Sequence, residues 1–214
     1  MHIKGVIFDL DGVLCSTDRY HTAAWRRLAE ELGIRFEEKT SDAVRGVSRM
    51  DSLDIVLGEH KNEYSPEQKT ELADRKNSIY RGYLSTMTPS DVTPSVRFML
   101  EKLKSCHIPM AIGSSSKNTV FILQKTELMG YFPVIVDGTQ ISKSKPDPEV
   151  FLLAAQKLGL RPDECCVLED AHAGIEAARR GGFIRIAIGS TVRDDEAEYY
   201  LESADGLTEI LMDN

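Results

Sequence analysis

The sequence has no apolar run long enough to span a bilayer, and its first apolar segment, Val6-Ile7-Phe8, is too short for a signal-peptide core and lacks a cleavage pattern. The expectation is a soluble cytoplasmic protein with no membrane partner. Cysteine is scarce: Cys15, Cys106, Cys165 and Cys166 form no C-x-x-C and have no histidines at zinc-ligand spacing. They read as reduced thiols, which excludes a disulfide framework and a zinc module. Excess positive charge is missing too. With 34 acidic against 26 basic residues, the net charge of −8 speaks against a nucleic-acid partner. Any anionic substrate must be met by locally placed Lys and Arg. Internal repeats and low-complexity tracts are also absent.

What is present is enough chain, 214 residues at 42% hydrophobic, for one good core and a smaller appended module. Val6-Ile7-Phe8 breaks directly into Asp9-Leu10-Asp11-Gly12-Val13. Residues two apart in an extended or tightly turning segment point the same way, so Asp9 and Asp11 can face one reacting group while Gly12 allows a sharp turn. Paired carboxylates at a strand end suit phosphoryl transfer, one attacking phosphorus and the other handling a proton. Taken alone the segment fits a polar strand end equally well, and it has some likeness to a calcium loop, although the regular acidic spacing and closing glutamate of such a loop are missing.

Between residues 18 and 84 the signals are helical. Tyr20, Ala24, Leu28 and Leu32 recur at steps of four and Gly33 follows as a stop; Ser48 has Asp51 three residues on; Ser65-Pro66-Glu67-Gln68 is a capping box. From Thr93 the pattern changes to short apolar strands, 108–112, 134–136, 165–168 and 183–188, separated by helices near 95–105, 117–128, 148–158 and 172–180. This alternation predicts an α/β fold: a Rossmann-like parallel sheet core with an inserted α-helical domain. The core is expected over 1–17 and 88–214, and the helical insertion over 18–87.

In open parallel sheets, ligands sit beyond the carboxyl ends of the strands. Four such ends carry chemistry here. The first has Asp9 and Asp11. The second leads into Gly113-Ser114-Ser115-Ser116-Lys117-Asn118, able to hold phosphate oxygens with backbone N–H groups and a hydroxyl or to serve as an ordinary helix cap. The third leads to Lys145-Pro146, where proline restricts the lysine backbone. The fourth ends in Glu169-Asp170. Asp9, Glu169 and Asp170 gathered together would repel, raising a pKa or demanding a cation, and an oxygen-only set suits Mg²⁺.

Read in order, these loops resemble the four motifs of the haloacid dehalogenase superfamily of aspartyl phosphotransferases. The insertion is similar to that of the β-phosphoglucomutase branch, through Thr17-Asp18-Arg19-Tyr20-His21, Ala24-Trp25, Arg45-Gly46-Val47-Ser48-Arg49, Asp51-Ser52-Leu53 and Arg75-Lys76-Asn77. The resemblance implies interconversion of β-D-glucose 1-phosphate and glucose 6-phosphate through an aspartyl phosphate and a bound β-glucose 1,6-bisphosphate. Asp9 would be the nucleophile and Asp11 the acid and base. Mg²⁺ would be held by the Asp9 carboxylate, the Asp11 carbonyl, Glu169 and Asp170. Ser114 and Lys145 would hold the transferring phosphoryl group. Arg49, with Ser116, Lys117 and Asn118, would anchor the distal phosphate, and Thr17, His21, Trp25, Gly46, Val47, Ser48, Lys76 and Ser115 complete the expected substrate contacts. A phosphorylated hexose is then the partner, and a monomer suffices.

Without the resemblance, Trp25 reads as core, His21 as a surface or capping residue and Arg49 as a solvated charge. Three places depart from the family pattern: Ser115 where a smaller residue is usual, Ser95 where glycine is common, and the loop Asp137-Gly138-Thr139-Gln140. The rival reading is a Mg²⁺-dependent sugar-phosphate phosphatase on the same fold. A non-catalytic binding module would be expected to have lost a nucleophile, acid or metal ligand, and the full set is present.

Overall fold

The structure, a computed structural model, describes residues 3–44, 48–189, 191–192 and 195–212. The chain divides into two compact units, one of residues 1–16 and 88–214 and the other Thr17–Met87.

The first unit is built on a six-stranded parallel sheet in the order β3-β2-β1-β4-β5-β6. Its strands are β1 (Gly5–Phe8), β2 (Met110–Gly113), β3 (Val134–Val136), β4 (Cys165–Glu169), β5 (Ile184–Ile188) and β6 (Tyr199–Leu201). All five pairings are parallel, with Phe8 level with Ile112 on one side and Leu168 on the other. Strands β1, β2 and β4 are buried at every residue, and β5 at all but Arg185, as a sheet covered on both sides requires. Ile7, Ala111, Val136, Cys165 and Val167 share one buried cluster with Phe151 and Ala154 of the helix Glu149–Leu158 and Ala177 and Ala178 of the helix His172–Gly181. On the alternate side, Phe8 meets Phe132 edge-on, ring centroids 5.8 Å apart. The helices Pro94–Ser105, Thr119–Lys125 and Leu207–Met212 complete this unit.

The strand order reverses between β1 and β4, because the chain leaves β1 for β2 on one side and returns from β3 to β4 on the other. A crevice opens at such a switch point, beyond the strand ends. Asp9 and Glu169 follow Phe8 and Leu168 at that place, and the Asp9 amide donates to the Leu168 carbonyl at 3.0 Å.

The second unit is helical: Asp18–Glu31, Glu38–Ala43, Arg49–Leu57 and Pro66–Leu84. Trp25, Leu28 and Ala29 of its first helix pack with Leu53, Val56, Leu57 and Ala73. Ser48 caps the third helix by accepting from the Asp51 amide, and Ser65 and Gln68 form the expected capping box. No helix among the described residues is long and apolar enough to cross a membrane.

Four elements differ from expectation. Strand β6 and the six-residue helix Glu38–Ala43 carried no clear signal, and the helix expected over 117–128 occupies only Thr119–Lys125. It stops there because Glu127 takes a positive φ of 57° and the Leu128 amide turns back to the Leu123 carbonyl at 2.9 Å. Strand β2 begins at Met110 because the Ile108 amide is used to close the preceding helix on the Leu103 carbonyl.

Candidate active site

The turn after β1 is tight. The Gly12 amide donates to the Cys15 carbonyl at 2.9 Å and Leu14 closes on Leu10 at 3.0 Å. Gly12 has a φ of +82°, and a Cβ there would overlap the Asp170 carboxylate. Only glycine permits both that conformation and that approach. Gly174, in the first turn of the helix His172–Gly181, does the same for Glu169, whose carboxylate lies where a Cβ would stand. Asp9, Glu169 and Asp170 thereby bring one ligand oxygen each to within 4.8 Å of one another.

Lys145 reaches into this cluster from the loop between β3 and the helix Glu149–Leu158. Its ammonium donates to Asp9 Oδ1 at 2.5 Å and to Glu169 Oε2 at 2.7 Å, and it lies 4.6 Å from the centroid of the Phe151 ring. The other oxygen of Glu169 accepts from the amides of Asp170 and Ala171, each at 3.2 Å. The Lys145–Pro146 peptide bond is cis.

Burial works against the Lys145 ammonium, but the charges of Asp9 and Glu169 and their hydrogen bonds outweigh it and raise its pKa. Burial raises the pKa of Glu169 against the pull of Lys145, and it raises that of Asp170 together with the charges of Glu169, Asp9 and Asp11. One ammonium therefore does not neutralise the cluster. Hard oxygen ligands crowded around a residual negative charge fit a divalent cation such as Mg²⁺. Cys15 is not a nucleophile here: burial and the nearby Asp11 and Asp9 push its thiol pKa up.

In the loop after β2, the Ser114 amide bonds the Val136 carbonyl at 3.0 Å, the Ser114 hydroxyl accepts from the Ser116 amide, and the Ser116 hydroxyl accepts from the Asn118 amide, both at 3.2 Å. Asn118 is the N-cap residue of its helix but forms no side-chain cap. Ser115, the departure from the family pattern, accepts from the Lys145 amide at 3.4 Å. Lys117 is exposed. The unusual loop after β3 is ordered by buried Asp137, whose Oδ1 accepts from the Thr139 amide at 2.9 Å.

A second polar cluster forms within the helical unit. Lys76 Nζ lies 2.8 Å from His21 Nδ1, 4.5 Å from the Trp25 ring centroid and 4.8 Å from that of Tyr80. Since an ammonium only donates, Nδ1 accepts and the histidine proton resides on Nε2. Burial, then the charges of Lys76 and Arg49, push the His21 pKa down to about 3. His21 also stacks on Tyr80 at 4.0 Å, and the Tyr80 hydroxyl donates to Thr17 Oγ1 at 2.9 Å. His21 is thus partly buried and packed on Tyr80 within the helical unit, unlike the surface or capping residue it reads as without the resemblance. Trp25 lies in the core of the unit, with its ring beside Lys76. Arg49 donates to Asn77 Oδ1 at 3.1 Å and is 4.0 Å from Asp74. The Ser48 hydroxyl is committed to Asp51. Gly46 and Val47 lie outside the described residues.

Sequence reasoning did not single out Phe151, Tyr80 or Gly174. Phe151 and Tyr80 carried only the apolar periodicity of a helix. Gly174 had a usable signal, a glycine in the first helical turn after an acidic strand end.

A family model described as haloacid dehalogenase-like hydrolase matches residues 3–182. A β-phosphoglucomutase of Bacillus subtilis is 39% identical over 87% of this chain and 84% of its own length. A phosphorylated carbohydrates phosphatase of Thermotoga maritima is 33% identical over 86% of this chain and 84% of its own. Among solved structures, a β-phosphoglucomutase from Clostridium difficile superposes with a TM-score of 0.89 at 34% identity, covering 99% of this chain and 96% of that one.

Proposed function

The chain belongs to the haloacid dehalogenase-like hydrolase family, and from that premise we propose that it interconverts β-D-glucose 1-phosphate and glucose 6-phosphate through an aspartyl phosphate and a β-glucose 1,6-bisphosphate. The observation that carries this reading is the 39% identity to the B. subtilis β-phosphoglucomutase over a span that takes in the helical insertion as well as the core.

Asp9 attacks phosphorus and becomes the aspartyl phosphate. Asp11, two residues on in the same turn, gives a proton to the departing sugar oxygen and takes one from the incoming hydroxyl. Lys145 and Ser114 hold the phosphoryl oxygens as their charge spreads, and Lys145 is already fixed on Asp9. The Asp9, Glu169 and Asp170 carboxylates and the Asp11 carbonyl would hold Mg²⁺, which would further neutralise the charge on those oxygens. The distal phosphate falls to Arg49, whose planar fork suits it, with Ser116, Lys117 and Asn118. Thr17, His21 and Lys76 are assigned to the sugar.

A second reading is hydrolysis of a sugar phosphate. It is favoured by the T. maritima phosphatase and by a fructose-1-phosphate phosphatase of Escherichia coli, 31% identical over 83% of this chain. The same nucleophile, lysine and cation would serve water. A mutase must hold its intermediate by both phosphates while the sugar reorients, which makes Arg49 the residue that separates the readings. Arg49→Ala is expected to lower mutase flux about 10- to 100-fold, the range for one lost charge-assisted phosphate contact. Hydrolysis of acetyl phosphate should stay within about threefold, since that donor has no second phosphate to anchor. Equal loss of both activities contradicts the assignment.

A further inference from the structure

We propose that Glu149 is a positioning residue for Lys145: its carboxylate pins the loop that carries the lysine and so sets where the ammonium stands. This rests on the reading of Lys145 as the cation that holds the transferring phosphoryl group.

Lys145 approaches Asp9 and Glu169 from a loop, and a long flexible side chain on a loop is placed only as well as its backbone. Glu149 stands at the start of the helix Glu149–Leu158. Its carboxylate accepts from the Ser142 amide at 3.0 Å to each oxygen, from the Ser142 hydroxyl at 2.9 Å and from the Lys143 amide at 2.8 Å. Both residues lie two to three positions before Lys145. The Glu149 amide in turn donates to Asp147 Oδ1 at 3.1 Å, on the other side of the lysine. The loop is thus closed on the helix start from both directions. The bonds from Ser142 and Lys143 hold the Glu149 carboxyl below its ordinary pKa, so the clamp stays ionised at neutral pH. None of these groups touches Asp9, Glu169 or Asp170 in the described contacts, so Glu149 acts through Lys145.

A glutamate in the first turn also favours its helix through the helix dipole. The two roles are separated by measuring kcat and KM for acetyl phosphate hydrolysis with Mg²⁺ in the full-length protein and its Glu149→Ala, Glu149→Gln, Lys145→Ala and Glu149→Ala/Lys145→Ala variants. Glu149→Ala is expected to lower kcat about 10- to 100-fold with KM within about threefold, since a misplacement of about 1 Å costs about that much. Glu149→Gln, which keeps one accepting oxygen, should recover part of the loss. With Lys145 already gone, removing Glu149 should cost less than about twofold. An unchanged kcat in Glu149→Ala, or the same loss in both backgrounds, overturns the proposal. A wild type silent toward acetyl phosphate would instead count against the reading of the reaction. The clamp is then decided by the rate at which acetic anhydride acylates Lys145, followed by peptide mass spectrometry. Faster acylation in Glu149→Ala supports the clamp, and an unchanged rate overturns it.

Discussion

Three acids, Asp9, Glu169 and Asp170, crowd one site, two of them buried. The Lys145 ammonium answers that crowding of charge by pairing with Asp9 and Glu169 together. His21 shows the opposite solution, a titratable group kept neutral by burial and by neighbouring cations. Its folded pKa, about 3, lies below the ordinary 6.5. Below pH 6.5 the unfolded chain therefore binds a proton that the folded one refuses, and stability present at neutral pH is lost as pH falls toward 3. Trp25 is the sole tryptophan and lies in the helical unit, so its fluorescence reports that unit alone. Urea midpoints followed by this signal should fall between pH 7.5 and pH 5 in the wild type, and by clearly less in His21→Gln. Parallel slopes in the two proteins would contradict the account of His21. Acids at strand ends were legible because they recur, with a lysine and a hydroxyl loop, at several strand ends of one sheet, although each alone fits a polar strand end. The surroundings of His21 were not, because its partners Lys76 and Tyr80 lie on a helix more than fifty positions away.

At the scale of elements, the site depends on how closely the helix His172–Gly181 approaches β4. Alanine in place of a helical glycine ordinarily stabilises by about 1 kcal/mol. At Gly174 the new Cβ would collide with the Glu169 carboxylate, and this steric overlap outweighs the propensity gain. Gly174→Ala is therefore expected to lower the unfolding midpoint and to weaken Mg²⁺ binding measured by calorimetry. A more stable protein with unchanged Mg²⁺ affinity would contradict the packing described here. The buried strands β1 and β4 were readable from apolar runs, and β5 from one that only Arg185 interrupts. Strand β6 was not: it is a three-residue edge strand, incompletely buried, with Glu196 and Glu198 before it and Glu202 after. The premature end of the helix at Lys125 hinged on Glu127 adopting a left-handed conformation, which glycine signals in a sequence and glutamate does not.

Across the whole molecule, the insertion was legible because helical capping signals interrupt a strand-helix alternation that resumes after Thr93. The reaction is less legible than the fold, since one nucleophile, one lysine and one acidic cluster can deliver a phosphoryl group to water or to a sugar. That ambiguity reappears among the relatives, which include a mutase and two phosphatases. The decisive measurement is phosphorus NMR of the protein with Mg²⁺, β-D-glucose 1-phosphate and a trace of β-glucose 1,6-bisphosphate, following glucose 6-phosphate and inorganic phosphate together, with Asp9→Asn as the blank. Rapid glucose 6-phosphate with little free phosphate is expected of a mutase; free phosphate as the main product would contradict that activity.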